Sequence, residues 1–266
     1  MANDILHFSH ANGFPSPCYR VMLDALKPHY DVGYINQLGH NPEYPVTDNW
    51  PHLTQELIDY VEKTYHQPVI AVGHSLGGVL SYMAAKQRPD LFKAFLMLDA
   101  PVLGPLESFV VAMAKRFNWV DRITPAGRTV GRRTRWPDRS SAEDYFRDKY
   151  LFRETDPRCL QDYVAHGTRD VEGGVELSFD ADTEIAIFRT LPHLASRPHP
   201  AAVVPGGLLY GRQSNVIRPF QLRWMKKKAG LRIRGIEGTH LFPFERPEET
   251  AQQILRMLQE LTHGRR

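Results

Sequence analysis

A serine stands between two glycines in Gly73-His74-Ser75-Leu76-Gly77, after the apolar run 69–72 and before Gly78 and the helical pattern 79–86. The run is β-branched apart from Ala71 and long enough for a buried parallel strand. Strand, sharp turn and helix in that order describe a nucleophile elbow. The chain must reverse within a few atoms of Ser75, and glycine at 73 and 77 removes the side chains that would clash there. The hydroxyl then points outward at a helix N-terminus, where backbone amides and the helix dipole favour developing negative charge. Such a hydroxyl is a poor nucleophile at neutral pH and needs an adjacent base. A purely structural glycine-rich turn is the bland alternative.

The elements that must position this serine alternate along the chain. Asp4-Ile5-Leu6-His7-Phe8-Ser9 reads as a first strand ending at His10-Ala11-Asn12-Gly13-Phe14-Pro15, and Ser16 can cap a helix carrying Tyr19, Met22, Leu23 and Leu26. Residues 30–35 read as a second strand. Asp48 or Asn49 can then cap a helix with Leu53, Leu57, Ile58 and Val61 on one face. Residues 94–98 make another buried strand, stopping at Asp99. Alternation resumes with a short apolar strand at 206–211, helical spacing over 216–228, a strand at 231–236 and a helix opening at Arg246-Pro247-Glu248-Glu249. Helices between successive strands imply a parallel sheet covered on both faces. The expected fold class is therefore α/β, a doubly wound, mostly parallel sheet of about six or more strands. Ligands of such sheets gather beyond the carboxyl ends of the strands. His10, Ser75, Asp99, residues 212–215 and His240 all follow strand ends.

A chain of 266 residues with 42% hydrophobic and 24% charged content can bury a large core without staples. A net charge of +3 is too small to argue for nucleic acid. The two cysteines, Cys18 and Cys159, form no metal or disulfide spacing, which suits a reducing compartment. A strand-like segment from Ile5 leaves no room for a secretory signal, and no apolar run nears the length of a bilayer span. A cytoplasmic protein is the expectation.

Four pieces of the sequence resemble the α/β-hydrolase family in its lidded, esterase-like form: the turn His10-Ala11-Asn12-Gly13-Phe14-Pro15, the Ser75 elbow, Asp99 closing its strand, and Gly238-Thr239-His240-Leu241-Phe242-Pro243. The resemblance covers residues 4–101 and 206–262. It implies the order serine, acid, histidine, with His240 as the base that activates Ser75. It assigns His10 and His74 scaffold and loop-orienting roles. In most of the family the acid follows the strand at 208–211, but Arg212-Gln213-Ser214-Asn215 offers no carboxylate. Some members carry the acid one strand earlier, and Asp99 sits there. The alternative for Asp99 is capping the next turn or pairing with an arginine, which leaves Asn215 or Ser214 behind the histidine. An amide could orient an imidazole without stabilising its charged form. The oxyanion hole would pair the backbone N–H of Leu76 with that of Asn12, Phe14 being the second choice.

Residues 104–200 interrupt the alternation. The expected division is a core of residues 1–103 and 201–266 with a helical lid inserted at 104–200. Leu106, Phe109, Val110, Met113 and Phe117 form an apolar stripe, ordinarily core packing, otherwise a wall for an apolar acyl or ring portion. Arg128, Arg132, Arg133, Arg135 and Arg139 form either a solvated, salt-bridged face or a clamp for an acidic substrate group. Serine rather than aspartate at the elbow points to attack on a carbonyl carbon, hence an ester, a thioester, an amide or a C–C bond next to a carbonyl. The expected activity is hydrolysis of a small carboxylic ester with an apolar portion. Neither cofactor nor metal, neither nucleic acid nor membrane span is expected, and a homodimer is left open. A non-catalytic ligand-binding protein without an efficient acid is the competing reading, and cofactor-free lyase chemistry a third.

Overall fold

The computed structural model describes residues 3–196 and 204–263. The first half of the core runs β1 (Ile5–Ser9), α1 (Arg20–Leu26), β2 (Asp31–Tyr34), α2 (Pro51–Thr64), β3 (Val69–His74), α3 (Leu76–Gln87) and β4 (Phe92–Leu98). An insert follows: α4 (Pro105–Arg116), α5 (Val120–Ile123), α6 (Ala126–Thr129), β5 (Arg135–Trp136), α7 (Arg139–Arg147), α8 (Pro157–Gly167), β6 (Thr168–Val171), β7 (Gly174–Leu177) and α9 (Ala181–Arg189). The core then resumes with β8 (Gly206–Gly211), α10 (Pro219–Lys228), β9 (Arg232–Ile236), α11 (Phe242–Glu245) and α12 (Pro247–His263). The expected boundary at 200/201 lies outside the described residues.

Six strands form one sheet in the order β2-β1-β3-β4-β8-β9, and every pairing in it is parallel. Alternate residues of a strand face opposite sides, and the two cores obey this. Ile70, Val72, Leu96 and Leu98 pack on one side with Met22 and Leu26 of α1 and Ile254 and Leu258 of α12. Val69, Ala71, Phe95 and Met97 pack on the other with Leu53 and Leu57 of α2, Leu80 of α3 and Met225 of α10. Register aligns the carboxyl ends: Ser9 pairs with Gly73, His74 with Leu98, Leu98 with Leu209, and Gly211 with Ile236. The ladder continues one residue past the strands, as Ser75 N–H donates to Leu98 O at 2.9 Å and Asp99 N–H to Leu209 O at 2.8 Å.

The insert is not wholly helical: β5, β7 and β6 form a small antiparallel sheet. Its strands are four residues or fewer, too short for a period-2 signal to stand out from turn residues. Trp136, Phe146, Phe152 and Tyr163 stack with ring centroids 4.8–5.4 Å apart, and Phe14 of the early turn lies 4.9 Å from Tyr163. That stack is continuous with the Phe8 side of the core, so the second half of the insert is rooted in it. The first half behaves otherwise. The stripe on α4, for which core packing is the ordinary expectation, faces solvent, with Leu106 72% and Phe109 63% exposed. Its helix buries Val111 and Ala114 instead.

Neither Asp48 nor Asn49 caps α2. The helix starts at Pro51 with no side-chain cap. The Asn49 side-chain oxygen accepts from the amides of His193 and Leu194, tying the end of the insert to the core.

Candidate functional site

Ser75 joins β3 to α3 with φ 51° and ψ −111°, a conformation non-glycine residues rarely adopt. Such strain costs on the order of 1–3 kcal/mol and persists only where the surroundings impose it. They do so here. A Cβ on Gly73 would lie 2.2 Å from the carbonyl of Gly77, and a Cβ on Gly77 would lie 2.1 Å from Ser9 O. Gly78 is needed as well, since its Cβ would come within 2.6 Å of the Ala100 methyl. The Ser75 carbonyl takes the amides of Gly78 and Val79, so the first turn of α3 forms at once.

One strand over, Asp99 also has positive φ, 43°, and is fully buried. Its carboxylate accepts from three donors. Oδ1 accepts the Gly211 amide at 2.9 Å, while Oδ2 accepts the Ser214 hydroxyl at 2.5 Å and His240 Nδ1 at 2.7 Å. The structure thus brings Asp99 and His240 together from stretches 141 residues apart. Among the described residues, Ser214 donates to Asp99 and not to His240. No sequence pattern singles it out for that, since its contact is set by how β8 ends beside β4.

A second chain of bonds supports the histidine loop from below. His74 Nε2 lies 2.9 Å from the carbonyl of His240, which can only accept. Burial holds the His74 pKa well below its usual value, with His240 adding to the effect, so this imidazole is neutral and its proton sits on Nε2. Nδ1 then accepts the Tyr19 hydroxyl at 2.7 Å, and Tyr19 in turn accepts the Ala11 amide at 3.1 Å. His10 is also neutral, its pKa lowered to about 4 chiefly by burial. It donates from Nδ1 to Ala11 O at 2.8 Å and accepts the Leu38 amide on Nε2 at 2.7 Å. Both histidines hold loops.

In the early turn the Phe14 amide is occupied by Ala11 O at 3.0 Å. Among the described residues, the amides of Asn12 and Leu76 donate to no protein acceptor. Asn12 Nδ2 reaches the Glu184 carbonyl at 3.0 Å, and Asn12 Oδ1 is buried without a hydrogen-bond partner. Glu184, in α9, lies over Gly13, and its Oε2 pairs with Arg132 at 2.6 Å. Burial raises the Glu184 pKa and Arg132 pulls it back. Glu184 escaped the sequence reading, being one acid on a short helix of the insert.

The other arginines of the cluster disperse. Arg135 pairs with Glu176 and Arg139 with Asp170, while Arg133 lies over Trp136 and Tyr145. Arg128 is exposed, so the five arginines do not converge on one point.

Residues 8–253 match a family model described as "Alpha/beta hydrolase family". The chain is 26% identical over 209 residues to the type I acyl-CoA thioesterase mpaH' of Penicillium brevicompactum, covering 71% of this chain and 45% of that one. It is 31% identical over 99 residues to the monoglyceride lipase of Rattus norvegicus, covering 35% and 32%. The chain therefore spans less than half the length of the curated relatives it matches. Among solved structures, E-2-(acetamidomethylene)succinate hydrolase superposes with a TM-score of 0.76 at 19% identity, over 97% of this chain and 92% of that one, a likeness of fold. The family match runs from within β1 to within α12 and takes in the serine turn, Asp99 and His240; the chain belongs to the alpha/beta hydrolase family.

Proposed function

We propose that this protein is a serine hydrolase cleaving a small carboxylic ester or thioester through an acyl-enzyme on Ser75. The observation that carries the reading is the fully buried Asp99 carboxylate 2.7 Å from His240 Nδ1. A carboxylate there accepts a hydrogen bond from Nδ1–H, which keeps the proton on Nδ1 and leaves Nε2 unprotonated and able to act as base. His240 takes the hydroxyl proton of Ser75 as Oγ attacks the acyl carbon, and the resulting imidazolium is stabilised by Asp99. The carbonyl oxygen becomes negative in the tetrahedral intermediate and is stabilised by the amides of Leu76 and Asn12. His240 returns the proton to the leaving alcohol or thiol. Water then enters by the same route and releases the acid.

Residues 104–200 serve as the lid of this site, with α4–α6 its loosely held part. Relatives named as a thioesterase and a lipase favour an acyl substrate with an apolar portion. The carboxylate missing from 212–215, which motivated a non-catalytic reading, has its counterpart in Asp99. Ser75→Ala should lower turnover of a short-chain aryl ester by at least about 10³-fold with unchanged thermal unfolding, and a fluorophosphonate should label Ser75 stoichiometrically. Full activity of the variant, or no labelling of the native chain, returns the protein to the ligand-binding reading.

A further inference from the structure

The run 105–130 shows solvent an unusual mixture. Along α4 and its C-cap, Leu106, Phe109, Val110 and Phe117 recur at intervals of three, one and seven residues, which is one face of a helix, and all four are exposed. Phe117 stacks on Trp119 at 5.6 Å between ring centroids, and Trp119 is 54% exposed. Ile123 of α5 and Val130 after α6 extend the apolar surface at 51% and 55% exposure. A soluble surface seldom leaves so many large apolar side chains together without a partner.

Charge selects the partner. The exposed charged residues of this run are Arg116, Arg122 and Arg128, and none forms an ion pair among the described residues. The other charges of the run are paired or half-buried. Lys115 binds Asp48, and Asp121 binds Arg189 at 2.6 Å. Glu107 is half-buried. No exposed carboxylate remains between 105 and 130. A second copy docked through the same face would set arginine against arginine. An anionic lipid surface would meet the cations and take up the aromatic and aliphatic side chains together.

We propose that α4–α6 is a docking surface for anionic phospholipid bilayers. α4, about 18 Å long at 1.5 Å per residue, lies in the plane of the headgroups with Leu106, Phe109 and Phe117 toward the acyl chains. Arg116, Arg122 and Arg128 sit among the phosphates. The proposed attachment is at the surface of the bilayer; no helix among the described residues is long and apolar enough to cross a membrane. The proposal does not depend on Ser75 being a nucleophile.

The test is co-sedimentation of the full chain with vesicles of phosphatidylcholine alone or mixed with phosphatidylserine, at about 0.1 M salt. The expected result is partition onto the phosphatidylserine vesicles, with a blue shift of tryptophan emission. Trp50 and Trp136 are buried and Trp224 is half-buried, so Trp119→Phe should remove most of that shift. Leu106→Asp with Phe109→Asp should weaken partition at least tenfold. Each of Arg116→Gln, Arg122→Gln and Arg128→Gln should weaken it about fivefold on anionic vesicles and leave the neutral vesicles unaffected. All these positions are exposed, and circular dichroism checks that each variant is folded. Equal partition onto both vesicle types, or none onto either, overturns the proposal. So does a dimer in solution that Phe109→Asp converts to monomer.

Discussion

Asp99 carries three hydrogen bonds on a fully buried side chain, and they do two different things. The Gly211 amide and the Ser214 hydroxyl compensate for removing a carboxylate from water. The His240 bond fixes a tautomer. Replacing the acid by its amide keeps the size and removes the charge that would stabilise an imidazolium. In a serine-protease triad that change lowers turnover about 10⁴-fold. Asp99→Asn should therefore lower kcat by about the same factor with KM moved only a few-fold, measured on a short-chain aryl ester. A variant that keeps more than a tenth of native kcat would remove Asp99 from the mechanism. The serine turn shows a similar economy. Ser75 accepts a strained backbone because glycines at 73, 77 and 78 let β1, β3 and α3 approach closely enough to impose it.

At the scale of elements, the insert grips the early turn through α9 and the loop after α6. Glu184 covers Gly13, offers its carbonyl to Asn12 and pairs with Arg132. The Glu184 side chain is 9% exposed and that of Arg132 23%, so breaking the pair strands a charge with little water. Glu184→Leu leaves the always-charged guanidinium and should destabilise by about 2–3 kcal/mol, below the 3–5 kcal/mol of a fully enclosed pair. Arg132→Met should cost less, because the orphaned carboxyl can protonate. The double variant should recover most of the loss, and urea unfolding of the three variants measures the coupling. Additive losses would show that the two side chains act separately. The rooted half of the insert, the Trp136–Phe146–Tyr163 stack, contrasts with α4, which holds on by Val111 and Ala114 and leaves its larger side chains out.

For the molecule as a whole, buried titratable groups set a stability optimum in pH. Burial lowers His7 to about 3 and His10 to about 4 from 6.5. Between those values and 6.5 the unfolded chain binds protons that the folded chain refuses. Stability from these residues is therefore full above 6.5 and lost as pH falls toward 4. Glu56 acts in the opposite sense, because burial raises it from 4.5 to about 7. Its contribution is full below 4.5 and lost as pH rises toward 7, by up to about 3 kcal/mol. Resistance to urea should peak near pH 6–7 and fall on acidification. Glu56→Gln should raise the midpoint at pH 8 and leave it unchanged at pH 4. An equal change at both pH values would mean that folding does not raise the Glu56 pKa.

Local chemistry determined much of this protein. The glycines about Ser75, the apolar runs of β1, β3, β4 and β8 and the alternation of strand with helix are short-range properties, so they were legible in order along the chain. They were enough for the parallel sheet, the serine turn and the late His240 loop. The family resemblance pointed to Asp99, but its contact with His240 was not legible in local pattern. Asp99 and His240 are 141 residues apart, and only the lateral order β3-β4-β8-β9 makes the end of β4 a neighbour of the loop after β9. The same holds for Ser214 on Asp99, Glu184 over Gly13 and the His74–Tyr19–Ala11 relay. Each depends on backbone paths meeting from distant stretches, which no local periodicity records. The stripe of α4 shows the converse: its spacing marked an apolar face, but whether that face met core or solvent was decided by where the insert attached to the sheet.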